Sequence, residues 1–229
     1  MTLASKRVRH FALLATLCAA FIGTNAWAQP VEVATRTAAR ELATSGAEAL
    51  ERGDYATALD HLSRANSLHP APSISVLVAR SLAHLGRLVE ALDQFEETMR
   101  APLSEDAPEA YRVAAHEASV EAEQLRVRIP RVTIQIRSGG QVPGSIAVLF
   151  DQKELPRALL DVEFPIDPGE HTVIVRSPNF ERVTRQVQLA EQERVVLEIT
   201  LNDPTPAPKV TNVPPKEWDE SKVHSSRMT

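Results

Sequence analysis

Apolar positions recur at helical spacing from residue 33 to residue 127. Leu42, Gly46, Ala49 and Leu50 fall on one face. Gly53-Asp54 then stops the helix in a tight turn. A second stripe of Tyr55, Ala58, Leu59, Leu62 and Ala65 runs to Pro70 and Pro72, which end it. The pattern restarts with Ile74, Val78, Leu82 and Leu85, turns at Gly86, and continues with Leu88, Ala91, Leu92 and Phe95 until Pro102. Residues Ser104 to Glu109 offer capping side chains and a proline suited to a first turn. They predict a fifth helix over 107–127, with Ala110, Val113, Ala114, Val120 and Leu125 as its apolar face. Pro130 closes the helical half.

Beyond Arg131 the period drops to two. Val132, Ile134 and Ile136 alternate with polar residues, as in a half-buried strand. Gly139-Gly140 predicts a turn, and Ile146, Val148 and Phe150 alternate again. Further short strands are expected at Val162–Phe164, at His171–Arg176, around Val183, Val187 and Leu189, and over Val195–Leu201. Six strands at this spacing predict a small antiparallel sandwich or open barrel. Residues 202–229 hold five prolines among Thr, Lys and Ser, cannot build a core, and are expected to be extended or disordered. Trp218 stands alone there.

The fold class is therefore α+β in separate domains. Residues 33–127 are expected to form helical hairpins, and 131–201 a small antiparallel β-sandwich.

The helical half repeats itself. Gly53-Asp-Tyr-Ala-Thr-Ala-Leu returns as Gly86-Arg-Leu-Val-Glu-Ala-Leu, an offset of 33 residues, which is the length of one stacked helical hairpin. Gly46, Gly53, Tyr55, Ala58, Leu62, Ala65 and Pro70 in the first copy, with Ala79, Gly86, Leu88, Ala91 and Phe95 in the second, resemble a tetratricopeptide repeat. Thr98 and Pro102 depart from that pattern, as does Leu42 in place of an aromatic. Two copies are a minimal stack, so the helix over 107–127 is expected to cap them. The segment Asp167-Pro168-Gly169-Glu170-His171, followed by Val173, Val175 and Asn179-Phe180, resembles a PEGA-type β domain, with Asn179 where that family carries glycine. Both resemblances imply non-catalytic modules, the first for binding proteins and the second for the cell envelope.

The amino terminus adds a location. Lys6, Arg7 and Arg9 precede an apolar run from Phe11 to Gly23, and Ala26-Trp27-Ala28 supplies a cleavage pattern. Residues 1–28 thus read as a secretory signal peptide whose apolar run is too short to span a membrane. An uncleaved anchor is the alternative. Cys18 is the single cysteine, and Leu17 before it argues against a lipid anchor. A cleaved chain has no cysteine for disulfides or thiolate metal sites. Its charge is more negative than the −5 of the whole sequence, which disfavours nucleic acid as a partner. No later segment has the apolar length of a transmembrane helix. A bacterial periplasmic or secreted protein is expected.

No catalytic motif or phosphate loop is present, so an enzyme and a cofactor are not expected. His116-Glu117, His61 and His69 lack convergent metal ligands, so no metal site is expected. Glu117, Glu121 and Glu123 read as a solvated helix face. His171 is expected to cap its turn or pack beside Phe180. By repeat register, Arg40, Ala47, Arg80 and His84 are the candidate partner-binding residues of the helical groove, the arginines through bidentate pairing with carboxylates. The expected function is a non-enzymatic envelope scaffold. A protein or peptide sits in the groove, and the β module docks the assembly. The alternative is a carbohydrate- or wall-associating module with the helices as spacer. Phe150, Phe164 and Phe180 are the only β-half aromatics available for sugar stacking, and alternation turns Phe150 inward.

Overall fold

A computed structural model describes residues 28–138, 144–178 and 180–202. The leader up to Trp27, the Gly139-Gly140 turn, Asn179 and the proline-rich tail lie outside the described residues. Five helices come first: α1 (Ala28–Glu51), α2 (Tyr55–Leu68), α3 (Pro72–His84), α4 (Leu88–Arg100) and α5 (Glu109–Arg128). A β region follows, as the change of period predicts. Among the described residues no helix is long and apolar enough to cross a membrane.

The two sequence copies close their first helices identically. Gly53 donates to the Leu50 carbonyl at 3.0 Å and Asp54 to Ala49 at 2.9 Å. Gly86 donates to Ala83 at 3.2 Å and Arg87 to Leu82 at 3.0 Å. Both are Schellman endings, which need a left-handed residue, and both glycines sit at φ 78°. The copies then diverge. Asp54 caps α2 by accepting from the Thr57 amide at 3.2 Å. The second copy has Arg87 at that position, and the Val89 amide of α4 instead donates to Asp167 at 2.8 Å.

The helical core is small-residue rich. Ala49, Ala58, Leu62, Ala79, Leu82, Leu88, Ala91 and Phe95 are buried in one cluster, with Phe95 and Leu62 among the largest side chains. At Gly46 a Cβ atom would lie 2.6 Å from the Leu62 Cγ, so α1 and α2 approach too closely there for any side chain. The face that α5 buries shares only Ala114 and Leu125 with the expected one. Ala114, Ala118, Ala122 and Leu125 point inward against the neighbouring helices, while Ala110, Val113 and Val120 are exposed. The helix turns toward its neighbours the stripe that lets backbones approach, not the most apolar one. Leu85, expected in the α3 stripe, is also exposed.

The strands are β1 (Arg131–Ser138), β2 (Ala147–Phe150), β3 (Lys153–Leu155), β4 (Glu163–Pro165), β5 (Gly169–Ser177), β6 (Phe180–Leu189) and β7 (Arg194–Leu201). They form one sheet of order β4-β1-β7 and another of order β3-β2-β5-β6. β2 runs antiparallel to β3, with Phe150 opposite Lys153, and antiparallel to β5, with Val148 opposite Val175. β3 was absent from the pattern because three residues with two charges carry no alternation. A tight turn creates it: Asp151 and Gln152 have φ of 46° and 68°, the left-handed pair a two-residue hairpin favours. β6 has a largely exposed burial pattern and lies at a sheet edge, where Glu181, Arg182 and Arg185 discourage further pairing.

Two compact units result. Among the described residues, the helical unit contains 28–132 together with Glu163–Glu170 and Gln188–Val195. These two returning segments are tied to the helices by polar contacts. Gln192 donates to the Arg128 carbonyl at 2.8 Å, Ile166 to Pro130 at 3.1 Å, and Arg128 grips Glu191 at 2.7 and 2.9 Å. Among the described residues, the β unit contains those within 133–162 and 171–187 and residues 196–202. Its core is built from Ile134, Ile136, Ile146, Val148, Phe150, Val173, Val175 and Ile199, all buried.

Candidate functional site

Arginine is the residue type that repeat register placed in the groove, and the helical unit treats its two candidates in opposite ways. Arg80, on α3, is consumed internally. Its Nε donates to both Glu121 oxygens at 3.0 and 3.1 Å, and its Nη2 reaches Glu121 at 2.5 Å and Glu117 at 2.8 Å. The hydrogen bonds to Glu121, more than those to Glu117, hold the Arg80 guanidinium above its already high pKa. Glu117 and Glu121 are therefore not a free solvated face of α5; they clamp α3. The planar fork thus meets two carboxylates of its own chain through Nε and Nη2.

Arg40, on α1, is the exception. Every other arginine from Arg36 to Arg131 lies within 4.0 Å of a carboxylate. Arg40 has no such partner among the described residues, and it is exposed. It borders a cavity of about 220 Å3 with Arg36, His69, Ser73, Ile74 and Tyr111.

A larger cavity of about 520 Å3 adjoins it, since Ala71 and Tyr111 line both. Its walls are the α2–α3 connection with Pro70 and Pro72, the last turn of α4 with Glu97 and Thr98, and the connection through Leu103 and Asp106 to Pro108. Prolines fix these backbones and deny them amide donors. Asn66 locks the first connection by accepting from the Ala71 amide at 3.2 Å and the Ser75 hydroxyl at 3.3 Å. Thr98 is buried, and its hydroxyl donates to the Gln94 carbonyl at 2.7 Å. No Lys, Arg or His lines the larger cavity, and it carries Glu97 and Asp106.

The four sequence candidates are thus not one cluster. Arg40 sits beside the start of α3. His84 sits at its end, roughly 16 Å away at 1.5 Å per residue, with its ring stacked on Tyr55 at 4.2 Å and an interplanar angle of 3°. Ala47 is half-buried on α1, and Arg80 is clamped. Sequence reading missed Asn66, Leu103, Asp106 and Tyr111, and weighed His69 only as a metal ligand. Their signal was present in the proline pairs Pro70/Pro72 and Pro102/Pro108, which the pattern registers only as helix ends and, at Pro108, as a first turn.

In the β unit, His171 is buried and its Nδ1 lies 2.6 Å from Asp151. Asp151 also accepts from the Thr172 amide at 2.8 Å and donates its own amide to the Thr172 carbonyl at 2.9 Å. The ring packs on Phe150, with centroids 5.1 Å apart. This arrangement fastens the β2–β3 turn to β5. Phe164 and Phe180 are each half-buried. Among the described residues no group of three or more His, Cys, Asp or Glu is placed to hold a metal ion. Neither a protein-family model nor a curated protein matches the sequence.

Proposed function

We propose that this protein is a non-enzymatic scaffold of the bacterial envelope, periplasmic or secreted, whose helical unit binds an extended segment of a partner protein. In this reading the helices are tetratricopeptide-like hairpins capped by α5. The β region is a PEGA-like sandwich that docks the assembly in the envelope.

One observation carries the binding role. Two adjoining cavities form a recess walled by proline-fixed connections and joined at Ala71 and Tyr111. Rigid walls reduce the ordering cost of binding an extended chain. An aromatic ring at the junction supplies a large contact area at low entropic cost. The recess, and not the surface around Arg80, is the place for a partner, because Arg80 is already neutralised within the chain.

The test is site-specific photo-crosslinking in an envelope fraction, with a crosslinking residue at Leu103 and a control at Val196 of β7. A discrete adduct is expected from Leu103 alone, and it is lost in Tyr111→Ala. Identical adducts from both positions, or an adduct indifferent to Tyr111→Ala, would overturn the assignment.

A further inference from the structure

Resting on that reading of the recess, the chemistry of its two halves specifies the ligand. We infer that the smaller cavity is a carboxylate subsite centred on Arg40, and that the larger one takes a basic flank of the same bound peptide.

The arginines make the case. Among the described residues, each of the other helical-unit arginines is paired with a carboxylate, and Arg40 is left without one at a cavity edge. Arg36 lies beside it, turned to Glu32 at 3.0 Å, and His69 and Tyr111 bring further polar atoms to the same cavity. A guanidinium offers a planar fork that a carboxylate fills with two parallel hydrogen bonds. A carboxylate entering here meets no acidic wall, since none of the lining residues is Asp or Glu.

The adjoining cavity has the opposite character. Glu97 and Asp106 line it without a cation. It therefore repels an acidic flank and accepts a Lys or Arg side chain, whose aliphatic stem can lie along Leu103 and the prolines. Because Tyr111 borders both halves, one extended peptide can span them with its ring between the charges. The recess so built selects for charge order along a peptide and discriminates against uniformly acidic ones.

The experiment is an NMR titration of the purified, 15N-labelled protein with three capped pentapeptides. The first carries one Lys and one Glu separated by three alanines, the second replaces Glu by Gln, and the third replaces Lys by Glu. The Lys/Glu peptide is expected to shift the Arg40 and Ser73 amides and to bind about fivefold more tightly than the Gln peptide, the upper range for an exposed pair. The all-acidic peptide binds more weakly than the Lys/Glu peptide. Arg40→Gln removes the preference for Glu and leaves the Gln peptide's affinity unchanged. Equal affinity for the Glu and Gln peptides, or an Arg40→Gln variant with the preference intact, overturns the carboxylate subsite while peptide binding stands. Sodium acetate matching the peptide's affinity and shifts marks a bare anion site and overturns the bipartite ligand. No shift with any peptide overturns both the subsite and the peptide-binding reading.

Discussion

The Asp167 carboxylate accepts a hydrogen bond from the Val89 amide at 2.8 Å, across 78 residues of sequence. It does for α4 what Asp54 does for α2 from within its own repeat. In the second sequence copy Arg87 stands at the cap position and makes no side-chain cap bond, and a turn of the β half supplies the acceptor. The motif that resembles a PEGA turn thus has a definite structural task in the helical unit, to which residues 163–170 belong.

Asp167→Ala is accordingly expected to destabilise the protein by about 1 kcal/mol, the usual loss on removing a helix cap. Asp167→Asn retains an acceptor and most of the stability. Urea denaturation followed by circular dichroism measures both. An Asp167→Ala midpoint equal to that of the wild type would show that the cap carries no net stability.

Gly46→Ala is expected to destabilise despite the better helix propensity of alanine. The propensity gain is about 1 kcal/mol. Against it stands a new methyl 2.6 Å from the fully buried Leu62, and overpacking of a filled core costs about 1–3 kcal/mol. The paired change Gly46→Ala/Leu62→Val makes room and recovers part of the loss. Thermal melts of the single and double variants decide it; a higher melting temperature for Gly46→Ala alone contradicts the close approach.

The Arg80 clamp is a structural link between α3 and α5. A double-mutant cycle of Arg80→Met and Glu121→Gln should give a coupling of about 0.5–1 kcal/mol, since the side chains are 34% and 28% exposed and water screens the pair. Its contribution to partner binding should be nil except through folding. A coupling of zero would mean that the close geometry contributes nothing measurable.

Acid should weaken the fold through identifiable carboxylates. Glu96 is held below the ordinary glutamate range chiefly by hydrogen bonds from Arg126, and Glu191 by those from Arg128. Asp54 is lowered chiefly by its hydrogen bonds with Thr57. Each has a folded pKa below its unfolded one, so the unfolded state binds protons first as pH falls. The stabilisation is fully present above about pH 4.5 and is lost as pH drops through the lowered folded values. Denaturation at pH 7 and at pH 3 should show the loss, and Glu96→Gln/Glu191→Gln should reduce the difference. An unchanged pH dependence in that variant removes these two residues from the explanation.

Charge pairing explains why the candidate site was only half legible. Arg40 and Arg80 were both read onto the groove face of a first helix, although by the 33-residue offset Arg80 matches Ala47 and Arg40 matches Ser73. Their fates differ because Glu117 and Glu121 come from a helix some 40 residues later and reach only Arg80. No local pattern encodes that choice. Likewise the α5 valines outrank its alanines in hydrophobicity, yet Ala114, Ala118 and Ala122 are the ones buried. Close backbone approach, a property of the neighbours, decides which face turns inward.

By itself, the amino-acid sequence determined where helices stop and where the chain changes period. Those features rest on local chemistry: left-handed glycines at 53 and 86, prolines that forbid continuation, and the two-residue alternation of Val132, Ile134 and Ile136. The tertiary structure alone decided that β3 pairs, that Asp167 caps α4, that Arg80 is spent within the chain, and that Arg40 stands open beside a recess. Each of these depends on groups distant in sequence meeting at hydrogen-bond distance, or failing to meet. Periodicity and propensity act over a few residues and carry no information about such encounters.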